Sequence, residues 1–254
     1  MPEYATILVD DRGPIGRITL NRPDKRNPIG PATCGELVAA LAALKANADV
    51  RVVILTGAGK AFSAGGDLAA MQPGGGPTAT LVELFTSMHE LGKPIIAMVN
   101  GPALAGGLGL MVACDLVIAA ETAELGTTEI AVGLWPMMIT AEITRSVGRK
   151  KTLEMMMTGR KLSASEALEA GLVNRIVPAA ELEAQTMQLA SDIAERSPAA
   201  LRLGLHAFYR SQDMELEPQL RYLQAELGRV LALDDAREGI TAFLHKRKPV
   251  WKGK

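Results

Sequence analysis

The chain has 254 residues, 48% of them hydrophobic and 22% charged, with a formal net charge of −1. That length suits one large α/β domain, or one domain plus a helical appendage, and a chain of this size buries roughly 70–75% of its unfolded surface. Balanced charge argues against nucleic acid as the main partner, because phosphate binding is driven by counterion release at basic surfaces. No apolar run approaches the ~20 residues of a membrane span, so no membrane partner is expected.

The start, Met1-Pro2-Glu3-Tyr4, has neither the charged opening nor the apolar stretch of a signal peptide. Apolar residues alternate in Thr6-Ile7-Leu8-Val9 and again at Ile18 and Leu20, with Asp11-Arg12-Gly13-Pro14 between them. That pattern predicts a β-hairpin. Thr33-x-x-Glu36 has the form of a capping box ahead of Leu37, Leu41 and Leu44, which share one helical face. Val50–Leu55 reads as a buried strand ended by Thr56-Gly57-Ala58-Gly59. Ile95–Val99, after Pro94, and Leu116–Ala120, after Asp115, read the same way. Pro73-Gly74-Gly75-Gly76-Pro77 has no side chains with which to pack and reads as a mobile surface loop.

The second half turns helical. Ser163-x-x-Glu166 caps a helix running to Gly171, and Leu172–Val177 is a short strand. Leu182, Leu189 and Ile193 share a face of the next helix, and from Pro198 the pattern stays helical to the basic tail His245-Lys246-Arg247-Lys248. Cys34 and Cys114 show neither disulfide-framework nor metal spacing and read as small buried apolar residues. A reduced, cytoplasmic protein with no metal site is the expectation. No fixed-period repeat is present, but twice a buried strand leads through glycines towards a helix.

Those two turns are Phe62-Ser63-Ala64-Gly65-Gly66-Asp67-Leu68 and Ala103-Leu104-Ala105-Gly106-Gly107-Leu108-Gly109. Small residues let a ligand approach the backbone, and a turn that opens a helix points unpaired N–H groups outward at the positive end of the helix dipole. Two such turns face to face would grip a developing oxyanion; each alone also fits simple close packing of helix on strand. Better-known motifs fail. Gly57-Ala58-Gly59-Lys60 is not a phosphate loop, because Ile54 stands where the first glycine is needed and Ala61 follows the lysine. Ala61-Phe62-Ser63-Ala64-Gly65 lacks the first glycine of a nucleophile elbow. His89, His206 and His245 have no obvious acidic partner in the chain, which argues against a Ser/His/Asp triad.

Asn21-Arg22-Pro23 with Asn27, and Leu55-Thr56-Gly57-x-Gly59-Lys60-Ala61-Phe62-Ser63-Ala64-Gly65-Gly66-Asp67-Leu68, resemble the enoyl-CoA hydratase/isomerase (crotonase) superfamily. So do Lys93–Leu104, Cys114-Asp115-Leu116, Gly133-Leu134-x-Pro136 and Ala242-Phe243-Leu244-x-Lys246-Arg247-Lys248-Pro249, in the family's order along nearly the whole chain. The resemblance implies a crotonase-like α/β spiral of ββα repeats over 1–197 and a helical trimerisation region over 198–254. It implies an acyl-CoA thioester as substrate and partner, no separate cofactor because CoA is part of that substrate, and a homo-trimer or a hexamer made of two trimers.

Residue by residue, the resemblance makes the backbone N–H groups of Gly66 and Gly106 the oxyanion hole and Glu129 the general acid/base. Ala64, Asp67 and Leu68 would line the CoA turn, and Phe243 and Lys246 match the family's tail contacts to CoA. The chain departs from the family where a first glutamate is common: that position is Gly109. Met137-Met138-Ile139 stand where further glycines are frequent and would shape the acyl pocket, with Trp135 in the same wall or in the core. Hydration of a 2-enoyl-CoA is the expected reaction. The alternatives are a double-bond isomerase with Glu129 as sole base, or a CoA-thioester-binding protein without catalysis.

Overall fold

The hairpin of the first segment is formed by Ile7–Asp10 (β1) and Ile15–Leu20 (β2), paired antiparallel with Ile7 opposite Leu20. The structure, a computed structural model, describes residues 3–67, 70 and 78–254, with the backbone alone at 78–80. The glycine-rich segment 73–77 lies outside the described residues. After the hairpin come helix α1 (Pro31–Ala46), strand β3 (Val52–Gly57), helix α2 (Thr78–His89) and strand β4 (Ile95–Val99). The short strand β5 (Ala103–Leu104), helix α3 (Gly106–Val112), strand β6 (Leu116–Ala120) and strand β7 (Glu124–Gly126) follow.

Helix α4 (Met137–Thr158) is interrupted at Gly148, whose φ of 75° and ψ of 167° are not helical. Then come β8 (Leu162–Ser163), α5 (Ala164–Glu169), β9 (Arg175–Val177) and four helices: α6 (Leu182–Ala194), α7 (Pro198–Ser211), α8 (Leu216–Leu231) and α9 (Asp234–Leu244).

One six-stranded sheet of order β1-β2-β3-β4-β6-β9 carries the fold, parallel from β2 onward. Successive side chains of a strand point to opposite faces, and both faces here are covered. Val53, Leu55, Ile95, Ala97, Val99, Val117 and Ala119 join the larger core with α1 to α4. Their alternates Val52, Ile54, Ile96, Met98, Ile118 and Ala120 pack beneath α6. Burial on both sides is why these strands read as continuous apolar runs. A second, three-stranded sheet has the order β5-β7-β8.

Three local readings are corrected. Helix α1 starts at Pro31, with Gly30 extended before it, so Thr33 sits buried in the first turn and caps nothing. Glu36 accepts instead from the Ala5 and Thr6 amides, each at 2.8 Å, and anchors β1 to the helix. The strand read over Leu172–Val177 shortens to β9, because the Leu172 amide closes the end of α5 onto Ala167 and Asn174 pairs edgewise with Val117. His89 does have an acidic partner, Glu142 of α4 at 3.3 Å, which only the packing of α2 on α4 supplies. The capping box at Ser163 and Glu166 forms as expected.

The chain's end folds back on itself. Asp235, buried at the start of α9, accepts the Ser197 hydroxyl at 2.7 Å and the Lys252 amide at 2.7 Å, and the Arg247 guanidinium pairs with Glu238. Leu216, Leu220, Leu223, Leu227 and Leu231 of α8 recur at helical spacing on one exposed face, a stripe left uncovered among the described residues.

Candidate active site

Beyond the carboxyl ends of β3 and β4 the chain must turn, and both turns pass through glycine where a side chain has no room. A Cβ on Gly65 would stand 2.7 Å from the Ala105 Cβ, and one on Gly107 would stand 2.6 Å from the Ser63 hydroxyl oxygen. Gly65 also has φ +106°, a left-handed conformation that favours glycine. The first turn is pinned from below by Asn27, buried and itself at φ 54°. Its side-chain amide donates to the carbonyls of Ala58 and Ala61 at 2.9 Å each and accepts from the Arg22 amide at 2.9 Å. The Ser63 hydroxyl donates to the Asn27 carbonyl at 2.8 Å and accepts from the Gly65 amide at 3.2 Å.

Parallel bridges then lock the turns to their neighbours, Ile29 to Gly66 and Ser63 to Ala103. In the first bridge the Ile29 amide donates to the Gly65 carbonyl and the Asp67 amide to the Ile29 carbonyl. A parallel ladder uses alternate residues, so the Gly66 N–H faces away from Ile29. Gly106 is the first residue of α3, a position whose N–H has no intrahelical acceptor. Neither amide has a backbone acceptor among the described residues. The two turns face each other closely: a Cβ on Gly106 would lie 3.7 Å from the Gly66 nitrogen. Ala105, between β5 and α3, has φ 49° and ψ −129°, a costly backbone conformation for a non-glycine residue, and its amide is tied to the Gly126 carbonyl at 2.8 Å.

Glu129 opens a short 3-10 turn, Glu129–Val132, ended by Gly133 in the left-handed conformation. Its carboxylate is half-buried, and its Oε2 is wholly buried with no hydrogen-bond partner. Removal from water pushes its pKa up, against a smaller opposing contribution from its own backbone N–H. A partly desolvated carboxyl group with one unpaired oxygen is poised to give or take a proton from something that enters beside it.

The Gly66 and Gly106 amides and the Glu129 carboxyl lie on one cavity of about 360 Å³. Ala64, Ala105, Ile29, Leu81 and Thr128 also line it, and the run Val132, Leu134, Trp135, Pro136, Met137, Met138 and Ile139 forms an apolar wall. Glu129 is the sole ionisable side chain on it among the described residues. At Gly109 there is no vacancy for a larger side chain. A Cβ there would sit 2.7 Å from the Ile139 Cβ, collide with its Cγ2, and approach Phe85 to 3.5 Å. Ile139, buried, fills that place with hydrocarbon.

The structure thus brings Gly66, Gly106, Glu129 and Ala64 to one cavity. Asp67 stands beside them, its Oδ2 held at 2.8 Å by Arg22 in a largely buried ion pair. Leu68 lies outside the described residues. Phe243 and Lys246 are not brought to the cavity within one chain: Phe243 projects from α9 at 82% exposure, and Lys246 follows in a left-handed turn. Sequence reasoning passed over Ile29, Leu81, Val132 and Leu134 as wall residues, because an apolar side chain on a cavity looks like any other core residue in one dimension.

The profile of a family described as Enoyl-CoA hydratase/isomerase matches residues 10–254. A Rhizobium meliloti protein named as a probable enoyl-CoA hydratase is 37% identical over 253 residues, 98% of each chain. The crystal structure of enoyl-CoA hydratase from Bacillus anthracis superposes with a TM-score of 0.91 at 37% identity, covering 98% of this chain and all of that one. Human enoyl-CoA hydratase domain-containing protein 3 superposes with a TM-score of 0.93 at 34% identity, over 97% of this chain and all of the other.

Proposed function

The chain belongs to the enoyl-CoA hydratase/isomerase family and has its fold, and from that premise we propose that it is an enoyl-CoA hydratase, adding water across the double bond of a 2-enoyl-CoA thioester. The observation that carries the reading is the placement of a partly desolvated carboxyl group with a buried, unpaired oxygen, Glu129, on the same cavity as Gly66 and Gly106, whose turns face each other. The thioester oxygen would lie between those amides and accept from both N–H groups. Glu129 would take a proton from water as the oxygen attacks C3. Negative charge then moves onto the thioester oxygen, where the fixed amides stabilise it, and Glu129 returns the proton to C2. Losing one such donor typically costs about 2.7–4 kcal/mol in the transition state.

A second reading, double-bond isomerisation, is favoured by a specific observation: hydrocarbon from Ile139 occupies the space at Gly109, leaving one carboxylate on the cavity among the described residues. In that reaction Glu129 removes a proton from C2 of a 3-enoyl thioester and returns it to C4, and no water has to be held. Both reactions pass through an enolate on the same two amides. Substrate absorbance separates them. Loss of conjugated-thioester absorbance from crotonyl-CoA and 2-decenoyl-CoA supports hydration. A gain from 3-decenoyl-CoA with no loss from either 2-enoyl thioester selects isomerisation. Silence in all three, with acyl-CoA still bound, leaves a CoA-thioester-binding protein.

The exposed leucine stripe of α8 we assign to contact between copies, in a trimer or a pair of trimers. Phe243 and Lys246 would then meet CoA across that contact rather than within one chain, and sedimentation velocity would report the assembly. No helix among the described residues is long and apolar enough to cross a membrane, and the cytoplasm is the compartment this reading assumes.

A further inference from the structure

The segment from Ile130 to Ile139 holds no charged side chain, and it does not behave as core. Ile130, Val132, Leu134, Trp135 and Met137 are all exposed, Val132 by 60% and Met137 by 67%. Consecutive exposed apolar residues have a cost in water unless something covers them in use. Four of the five are also walls of the cavity that holds Glu129, so the inner surface continues without a polar break onto the outside. Resting on the acyl-CoA reading, we propose that this site takes a medium- to long-chain acyl group with an apolar end. The tail would leave the cavity across Val132, Leu134, Trp135 and Met137.

Size supports the proposal. A cavity of about 360 Å³ corresponds to about a dozen water-sized groups at ~30 Å³ each. The thioester and the two reacting carbons take only the inner share, which leaves room for a chain well beyond four carbons. Charge supports it too. A terminal carboxylate on the acyl group would lie along Val132, Leu134, Trp135 and Met137, which offer it no cation, and partial loss of water without a charged partner is unfavourable. The floor is fixed and the exit adaptable: Ile139 is wedged against Gly109 and Phe85, whereas Met137 and Met138 are flexible and re-pack around different shapes. A second copy of the chain is the competing occupant of the exposed rim, but α8 already offers copies a separate and longer apolar face.

Saturated acyl-CoA thioesters of four, eight and twelve carbons, free CoA, and an eight-carbon thioester ending in a carboxylate provide the test, by titration calorimetry on the full chain. The expected result is an affinity that rises by about fourfold for each added methylene between four and eight carbons. The carboxylated thioester should bind at least about tenfold more weakly than its apolar counterpart. Met137→Ser and Leu134→Ser should weaken twelve-carbon binding more than four-carbon binding. Equal affinity at every length overturns the proposal while leaving the acyl-CoA reading intact. So does a Met137→Ser protein whose length dependence is unchanged but whose sedimenting mass falls, since the rim then belongs to a contact between copies. Because none of these ligands reacts, the outcome does not depend on turnover. Failure of every thioester and of CoA to bind would instead remove the acyl-CoA reading, and the proposal with it.

Discussion

The two walls of the one cavity are built on opposite principles. On the glycine wall, Gly65 and Gly107 have no room for a methyl group, and Asn27 and Ser63 tie the turns with hydrogen bonds of 2.8–3.2 Å. On the acyl wall, Val132, Leu134, Trp135 and Met137 stand partly in solvent, and among the described residues of that wall Pro136 and Ile139 are the buried ones. The difference teaches where this fold needs exact placement. Stabilising charge on one atom requires amides that do not move as that charge develops. Accepting hydrocarbon requires area and tolerance, which loosely held apolar side chains provide. Glu129 sits at the seam, held by its backbone in a tight turn with its carboxyl Oε2 buried and without a hydrogen-bond partner.

The largest expected effect tests that seam. Glu129→Gln keeps size and shape and removes the proton-transferring group. It should lower kcat by about 10²–10⁴-fold, the usual worth of a general acid/base, while affinity for a saturated acyl-CoA changes little. An active Gln variant would remove Glu129 from the mechanism. The pH dependence has a definite sign. Burial raises the Glu129 pKa, and the group must be ionised to accept a proton, so activity should climb with pH along a limb lying above the ~4.3 of an ordinary glutamate. Protonation below that limb removes the base, and the Gln variant should lose the limb altogether.

Next in size is a change on the rigid wall, at a distance from any substrate. Asn27→Ala leaves the Ala58 carbonyl and the Arg22 amide without their side-chain partner in a part-buried place, and leaves the Ala61 carbonyl only the longer bond from Asn100 at 3.5 Å. A loss of about 3 kcal/mol is expected, from the cost of stranding buried polar groups. It should appear as a lower melting temperature, with a kcat that falls out of proportion to affinity as the first glycine turn loosens. A variant that melts lower yet turns over normally would show that the turn is held without Asn27.

Those two residues also mark how far the chain could be read before its structure. The glycine turns are legible because the small residues of each turn are contiguous in the chain, and the parallel strands because they are covered on both faces. Glu129 stands out only through the family resemblance; taken alone it reads as a surface carboxylate at a helix start, stabilised by the helix dipole. Asn27 could be placed in a motif but not given its work, because the carbonyls it holds are 31 and 34 residues away. The cap predicted at Thr33 failed for a local reason: Pro31 is already suited to the first helical position, and Glu36 has a better use at Ala5 and Thr6. Gly109 read as a missing carboxylate. The fold turns that into a positive feature, since a side chain thirty positions later occupies the space.

That contact permits a test of coupling between the walls, with smaller effects. Gly109→Ala drives a methyl group into Ile139 and should cost about 1–3 kcal/mol, as overpacking does. Ile139→Ala alone should also destabilise, by opening a cavity beside Phe85. Together the two changes should cost less than their sum, because each makes room for the other, with a coupling of about 0.5–3 kcal/mol in a double-mutant cycle of thermal unfolding. Strict additivity would mean that α3 and α4 adjust independently. On the looser side of the same wall, Met138→Leu conserves volume and touches solvent, so it should cost less than about 1.5 kcal/mol. If Met138→Leu instead cost as much as Gly109→Ala, the acyl wall would be packed as tightly as the glycine wall, and the division of labour between them would fail.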